Sequence, residues 1–236
     1  MPVSLWLTSQ LEKEFKTYAG VDEVGLGCWA GPIYAGAVVI RAYDTWPEVD
    51  QLKDSKTVGP RKRTFIAQRI KEECDWAIGQ ASNDEIDEFG IRFAHSASIT
   101  RAVRALTEKL GRKVDGVVID GQAFDIELDD IATRFVVHGD DLIPAISAAS
   151  ILAKVERDAL MDELDKEYPE YGWKSNNAYQ SPQHRQALQE IGLTPYHRRS
   201  VKPVGRIAAA RGDCCDGTKP ACCFLHRKGE QHEVHS

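Results

Sequence analysis

Tyr18–Ile40, YAGVDEVGLGCWAGPIYAGAVVI, holds the pattern from which the rest of the chain is read. Residues 18–22 and 32–40 are apolar and rich in small and β-branched side chains, which predicts two strands of a buried sheet. The turn between them, GLGCWAG, carries Gly25, Gly27 and Gly31, residues that permit tight backbone geometry or close approach of a ligand. Asp22 and Glu23 close the first strand. An ionised acid at a buried strand end must be paired, hydrated or bound to a cation.

Two further acids repeat the arrangement. Asp120 ends GVVIDG and Asp140 follows FVVHG, each beside a short apolar run that reads as a strand, 116–119 and 134–137. Three such sites at neighbouring strand ends would form an oxygen-rich pocket for hard divalent ions. A pair of cations there can stabilise both the attacking and the leaving oxygen of an in-line phosphodiester displacement.

The intervening segments predict helices over 60–71 and 96–110, the second with Ile99, Val103, Leu106 and Leu110 on one side. CDWAIGQAS reads as a weak third strand, DDLIPAISAASILAKVERDALMDELDKEY as one long helix, and 182–190 as another. Strands interleaved with helices indicate an α/β fold on a mixed sheet. The expected organisation is a catalytic domain over 1–167, a small helical appendage over 168–205 and a Cys-rich tail over 206–236.

A chain of 236 residues can bury a full core. Its N-terminus meets charge too early for a signal peptide and lacks a basic leading region. No uncharged stretch approaches the roughly 20 residues of a membrane span, so the expectation is a cytoplasmic protein, read as a monomer. The net charge of −6 argues against a nucleic-acid partner, but its distribution weakens the objection. HRRSVKPVGRIAAAR, from His197 to Arg211, carries five Arg or Lys residues and no acid. Local potential outweighs total charge for a groove that tracks a backbone.

VDEVGLGCWAGPIYAGAVVI, LKDSK, VVIDG, GDDLIPAISAASILAKVERD and YQSPQHRQAL…GLTPYHRRSVKPV, in that order over roughly 19–205, resemble the type 2 ribonuclease H family, ribonuclease HII. The resemblance implies a ribonuclease H-like fold and hydrolysis of the RNA strand of RNA/DNA hybrids. It also implies nicking 5′ to ribonucleotides embedded in DNA, leaving 5′-phosphate and 3′-hydroxyl. Asp22, Glu23, Asp120 and Asp140 match the family's catalytic carboxylates, which hold two Mg²⁺ or Mn²⁺ ions. Gly25, Leu26 and Gly27 match its glycine turn, which senses the 2′-hydroxyl largely through backbone groups. Leu26 stands where the family usually has Arg or Lys. Tyr179 matches a tyrosine that stacks on the deoxyribose beyond the junction, within SNNAYQS rather than a basic, glycine-containing run. Ser181, Lys56 of the DSK segment and Arg198 of HRxS match further substrate contacts. The alternatives are a DNA junction endonuclease of the same superfold and a catalytically weak hybrid-binding protein.

Cys28 and Cys74 read as small hydrophobes. The resemblance does not reach Cys214, Cys215, Cys222 and Cys223, whose spacing, with His226 nearby, leaves structural Zn²⁺ as a reading not favoured over an unstructured tail.

Overall fold

The computed structural model describes residues 3–41, 46, 52, 59–128 and 130–213. The expected segment around Lys56 and the cysteine-bearing end of the tail lie outside these residues. The described chain groups into two compact units. The first takes its described residues from 1–24, 34–80 and 95–157, and the second from 25–33, 81–94 and 158–213. This partition is discontinuous along the chain.

The first unit is built on a sheet of β1 (Tyr18–Val24), β2 (Ile33–Ile40), β3 (Cys74–Ala81), β4 (Gly116–Asp120) and β5 (Ala132–Val136), in the order β3-β2-β1-β4-β5. β1 pairs antiparallel with β2 and parallel with β4, and β4 runs parallel to β5. The mixed α/β sheet read from sequence is therefore present, including the weakly patterned third strand.

Helices α1 (Val3–Glu14), α2 (Pro60–Glu73), α3 (Asn83–Phe89), α4 (Ile91–Leu110), α5 (Gly139–Leu142) and α6 (Pro144–Glu167) complete this part of the chain order. One apolar cluster joins Val38 and Val118 of the sheet to Ile66 and Ile70 of α2 and to Ile146 and Leu152 of α6. A second joins Val21, Val39 and Ile119 to Ile99, Val103 and Leu106 of α4. The two clusters use alternate residues of each strand, as a sheet buried on both faces requires.

Small residues set the distance between sheet and α6. A Cβ on Gly20 would lie 2.2 Å from the carbonyl carbon of Ala145, and one on Gly36 would lie 2.4 Å from the carbonyl oxygen of Ala149. Ala145, Ala148 and Ala149 are buried against the sheet, which explains the AISAASILA composition.

The single long helix expected from 140 is two helices. Ile143 is extended, with φ −123° and ψ 112°. It precedes Pro144, and a residue before proline is biased away from the helical region.

In the second unit a 3-10 turn (Pro169–Tyr171) precedes α7 (Trp173–Asn176), α8 (Pro182–Ile191) and α9 (Lys202–Arg211). Its core gathers Trp29, Met161, Tyr171, Trp173, Leu188 and Val204. Residues 206–211, expected above as the start of the tail, lie in α9. α9 continues to Arg211, buries Val204 and Ala208 one turn apart, and ends on Gly212 at φ 76°. Its Ala-rich sequence favours a helix intrinsically, and the buried pair ties it down. Cys28 and Cys74 are buried free thiols, as small hydrophobes would be.

Candidate active site

Asp22 and Asp120 sit together because the parallel register pairs Val21 with Ile119, so that the next residue of each strand is an acid at a carboxyl-terminal strand end. β5 then leads through His138, in the left-handed region at φ 57°, into α5, which opens with Gly139 and Asp140. The Gly139 N–H donates to Asp120 Oδ1 at 2.7 Å and fixes that carboxylate to the start of the helix. One carboxylate oxygen each of Asp22, Asp120 and Asp140 lie within 4.8 Å of one another. Asp22 and Asp140 are buried, at 6% and 4% exposure. Ligand sites of open α/β sheets form at such strand ends.

Glu23 is not in that group of three. Successive strand residues face opposite sides. Asp22 and Asp120 share the α6 face with Gly20 and Val118, while Glu23 turns toward α4. There its Oε2 lies 3.2 Å from His95 Nε2. His95 also packs on Phe124, with ring centroids 4.5 Å apart. Nothing in the sequence reading singled out His95, because its partner becomes visible only once the face of Glu23 is known.

Burial first, and then the charges of Glu23 and Asp120, push the Asp22 carboxyl up to about 7, against the opposing effect of a Ser150 hydrogen bond. Three acids crowded in this way repel one another, and a divalent cation relieves that repulsion. All-oxygen donors match Mg²⁺ or Mn²⁺, so the cluster fits such an ion.

The Asp22 shift has a consequence for stability without metal. A carboxyl titrating near 7 when folded and near 4 when unfolded binds more protons folded than unfolded between those values. The stability it confers is complete below about pH 4 and is lost as pH rises through 7. Asp22→Asn should therefore raise stability in chelator at pH 8 by about 1–4 kcal/mol, with little gain at pH 4. Denaturant melts at the two pH values measure this; a mutant less stable than wild type at pH 8 would contradict it.

The second unit holds the glycine turn and Tyr179. The Cys28 N–H donates to the Gly25 carbonyl at 3.3 Å, closing a turn over Leu26 and Gly27, and Gly25 takes φ 98°. The Leu26 side chain packs on Ile33, Ala81, Ile86 and Ala94. That apolar seat gives a physical reason for leucine at this position. Gly27 is exposed, and a Cβ there would stand 3.8 Å from the Tyr179 ring. The turn and Tyr179, separate in sequence, are thus brought side by side.

Tyr179 is 40% exposed and follows two residues in the left-handed region, Asn177 at φ 48° and Ala178 at φ 62°. Asn176 braces the segment. Its Nδ2 donates to the Tyr171 carbonyl at 2.8 Å and to Ser181 Oγ at 3.0 Å, and its Oδ1 accepts from the Ala178 N–H at 2.9 Å. Ser181 Oγ also accepts the His184 N–H at 3.0 Å as the cap of α8. Both its lone pairs are engaged, so any substrate contact would come from its O–H.

Arg198, matched above to a substrate contact, is fully buried. Its Nε donates to the Gly31 carbonyl at 2.8 Å and its Nη1 to the Leu26 carbonyl at 3.0 Å. Charge is legible in a sequence, but burial of that charge is not. Arg199 and Ser200 are held through their backbone N–H groups by Asp87, at 2.9 and 2.8 Å.

A mixed sheet with helices on both faces and a convergent acidic cluster at its strand ends defines a metal-dependent hydrolase of ribonuclease H-like architecture. The sequence model described as Ribonuclease HII matches residues 19–204. The chain is 43% identical over 189 residues to "Ribonuclease HII" of Paracoccus denitrificans, covering 80% of this chain and 86% of that protein. It is 45% identical over 189 residues to that of Ruegeria sp., covering 80% and 79% respectively. The crystal structure of ribonuclease H2 from Pyrococcus horikoshii superposes with a TM-score of 0.71 at 24% identity, covering 82% of this chain and 98% of that one. The chain belongs to the ribonuclease HII family.

Proposed function

We propose that this protein hydrolyses the RNA strand of RNA/DNA hybrids and nicks DNA 5′ to embedded ribonucleotides, leaving 5′-phosphate and 3′-hydroxyl ends. The observation that carries the reading is the convergence of Asp22, Asp120 and Asp140 within 4.8 Å in a chain of this family. These three, with Glu23 beside them, would hold Mg²⁺ or Mn²⁺. When bound, the metal supplies an activated water and neutralises charge building on the phosphate. The chain's own groups do the positioning. The Gly139 N–H orients Asp120, and His95 faces the carboxylate of Glu23.

Sugar recognition falls to Gly25, Leu26, Gly27 and Tyr179, with Ser181 beside them. Because the Leu26 side chain is seated in an apolar cluster, the turn would meet substrate through its backbone. Backbone N–H and C=O groups can read a 2′-hydroxyl as well as side chains can. A leucine variant of the turn gives up the forked phosphate contacts of an arginine, which makes this protein depend more on Tyr179. Lys56 is proposed to neutralise a backbone phosphate, and the enzyme to act as a cytoplasmic monomer. Among the described residues no helix is long and apolar enough to cross a membrane.

A panel of end-labelled duplexes tests the assignment: all-DNA, one ribonucleotide, four ribonucleotides and a full hybrid, each with Mg²⁺, Mn²⁺ or chelator. Cleavage confined to ribose-containing duplexes and abolished by chelator is expected. Cutting of branched all-DNA would point to the junction endonuclease, and binding without cutting to the hybrid-binding protein.

A further inference from the structure

Arg198 and His197 are adjacent in the chain and fully or almost fully buried, at 0% and 1% exposure. Neither reaches the surface, yet each is connected to one side of the gap between Gly27 and Tyr179. The Arg198 connection is direct. Its guanidinium takes the Leu26 and Gly31 carbonyls, and its own N–H donates to the Trp29 carbonyl at 2.8 Å, so three carbonyls along the glycine loop end on one residue. In a trans peptide the C=O and the following N–H point in opposite directions. With the Leu26 carbonyl turned toward Arg198, the Gly27 N–H is directed away from it.

The His197 connection runs through a second histidine, and its proton positions follow from the donors that cannot change. The Thr194 N–H donates to His197 Nδ1 at 2.9 Å, so that nitrogen carries no proton and Nε2 does. His197 Nε2 lies 3.0 Å from His184 Nε2, which must therefore accept. The Trp173 Nε1–H donates to the same acceptor at 3.3 Å. That leaves the proton of His184 on Nδ1, which donates to the Tyr179 carbonyl at 3.1 Å. Burial keeps both rings neutral, His184 lowered to about 4 and His197 to about 3, so one fixed pair of tautomers persists at neutral pH.

The two connections start from consecutive residues and end on opposite sides of the same gap. Backbone pairing strengthens the common base, because Ala30 bridges His197 and the Gly31 N–H donates to the Tyr196 carbonyl at 2.9 Å. The Tyr179 side needs such support. Two consecutive non-glycine residues in the left-handed region are strained and persist only when their surroundings hold them.

We propose that His197 and Arg198 are positioning residues which together set the separation of the Gly27 backbone from the Tyr179 ring, and thereby the enzyme's choice between sugars at the cut site. The proposal rests on the reading that the turn and Tyr179 meet the substrate sugars. It assigns to the HRxS stretch a part in selectivity exerted from beneath the surface.

The test compares Arg198→Lys, His197→Asn and His184→Asn with wild type and with Tyr179→Ala. The readout is the ratio of kcat/KM on a duplex with one ribonucleotide to that on a duplex with four, each assay run well below the variant's own Tm. Each anchor variant should shift this ratio by about fivefold or more in the direction of Tyr179→Ala, while kcat on the full hybrid falls less than about threefold. Combined with Tyr179→Ala, His197→Asn should add no further shift, since both act through one contact. Should Tyr179→Ala itself leave the ratio unchanged, the sugar-reading role of Tyr179 falls. If Tyr179→Ala shifts the ratio but the folded anchor variants do not, or if His197→Asn adds its full effect to Tyr179→Ala, the positioning role is overturned. Collapse of all three anchor variants to unfolded protein would overturn it too, by making the anchor architectural only.

Discussion

Asp140→Asn should lower turnover of an RNA/DNA hybrid by about a thousandfold or more, roughly 4 kcal/mol of barrier, while affinity for the hybrid changes little. Asp140 is 4% exposed and opens α5 in the group it forms with Asp22 and Asp120. An amide keeps the shape of the side chain but removes the negative charge and one anionic donor from the group that, with Glu23 beside it, would hold the cation. What is lost is stabilisation of charge that develops in the transition state, which is a loss of rate and not of grip. Single-turnover rates at saturating Mg²⁺, with hybrid affinity measured in Ca²⁺, separate the two quantities. Near-normal single-turnover rates would remove Asp140 from the catalytic set. A parallel loss of affinity and rate would show that it serves binding.

Gly20→Ala should have a comparably large effect by a purely mechanical route. The added Cβ would stand 2.2 Å from the Ala145 carbonyl carbon and 2.3 Å from the Ile146 nitrogen, both backbone atoms that no rotamer change can move. Either α6 lifts from β1 or the strand bends, and overpacking of this kind costs about 1–3 kcal/mol or more. Gly20 lies two residues before Asp22 on the same face of β1, so a strand that shifts carries its carboxylate with it. Both a fall in Tm and a loss of activity that excess Mg²⁺ does not restore are expected. A fully active, equally stable Gly20→Ala protein would mean that the sheet and α6 are not in the close contact described.

The carboxylates were legible in the sequence because their chemistry is costly in their setting: an acid ending a run such as GVVI asks for a partner whatever the fold. The strands were legible for a related reason, since β1, β2 and β4 are buried on both faces and read as near-continuous apolar runs. The capping box of α3, with Ser82 accepting the Glu85 N–H and Glu85 accepting the Ser82 N–H, was equally legible and was missed. Ser-x-x-Glu is its signature. Proline at 144 likewise marked the break between α5 and α6. Other features required three dimensions. The pairing of Glu23 with His95 depends on strand parity and on which helix covers that face. Arg198 reads in sequence as one more cation of a basic run, and only the fold shows that its guanidinium is turned inward onto carbonyls. The His184–His197 contact joins residues whose separation matches no helical or strand period.

The strands bearing Asp22 and Asp120 are neighbours in space but about a hundred residues apart in the chain, and their parallel pairing is a non-local contact of the kind that forms slowly. Asp140 comes later still. A growing polypeptide therefore carries Asp22 and Glu23 long before it possesses anything able to gather them around a cation. Synthesis takes place on a machine made largely of RNA, and throughout most of it this nuclease has no working centre. Its catalytic competence is timed by topology, arriving only after the second half of the sheet has emerged and closed against the first.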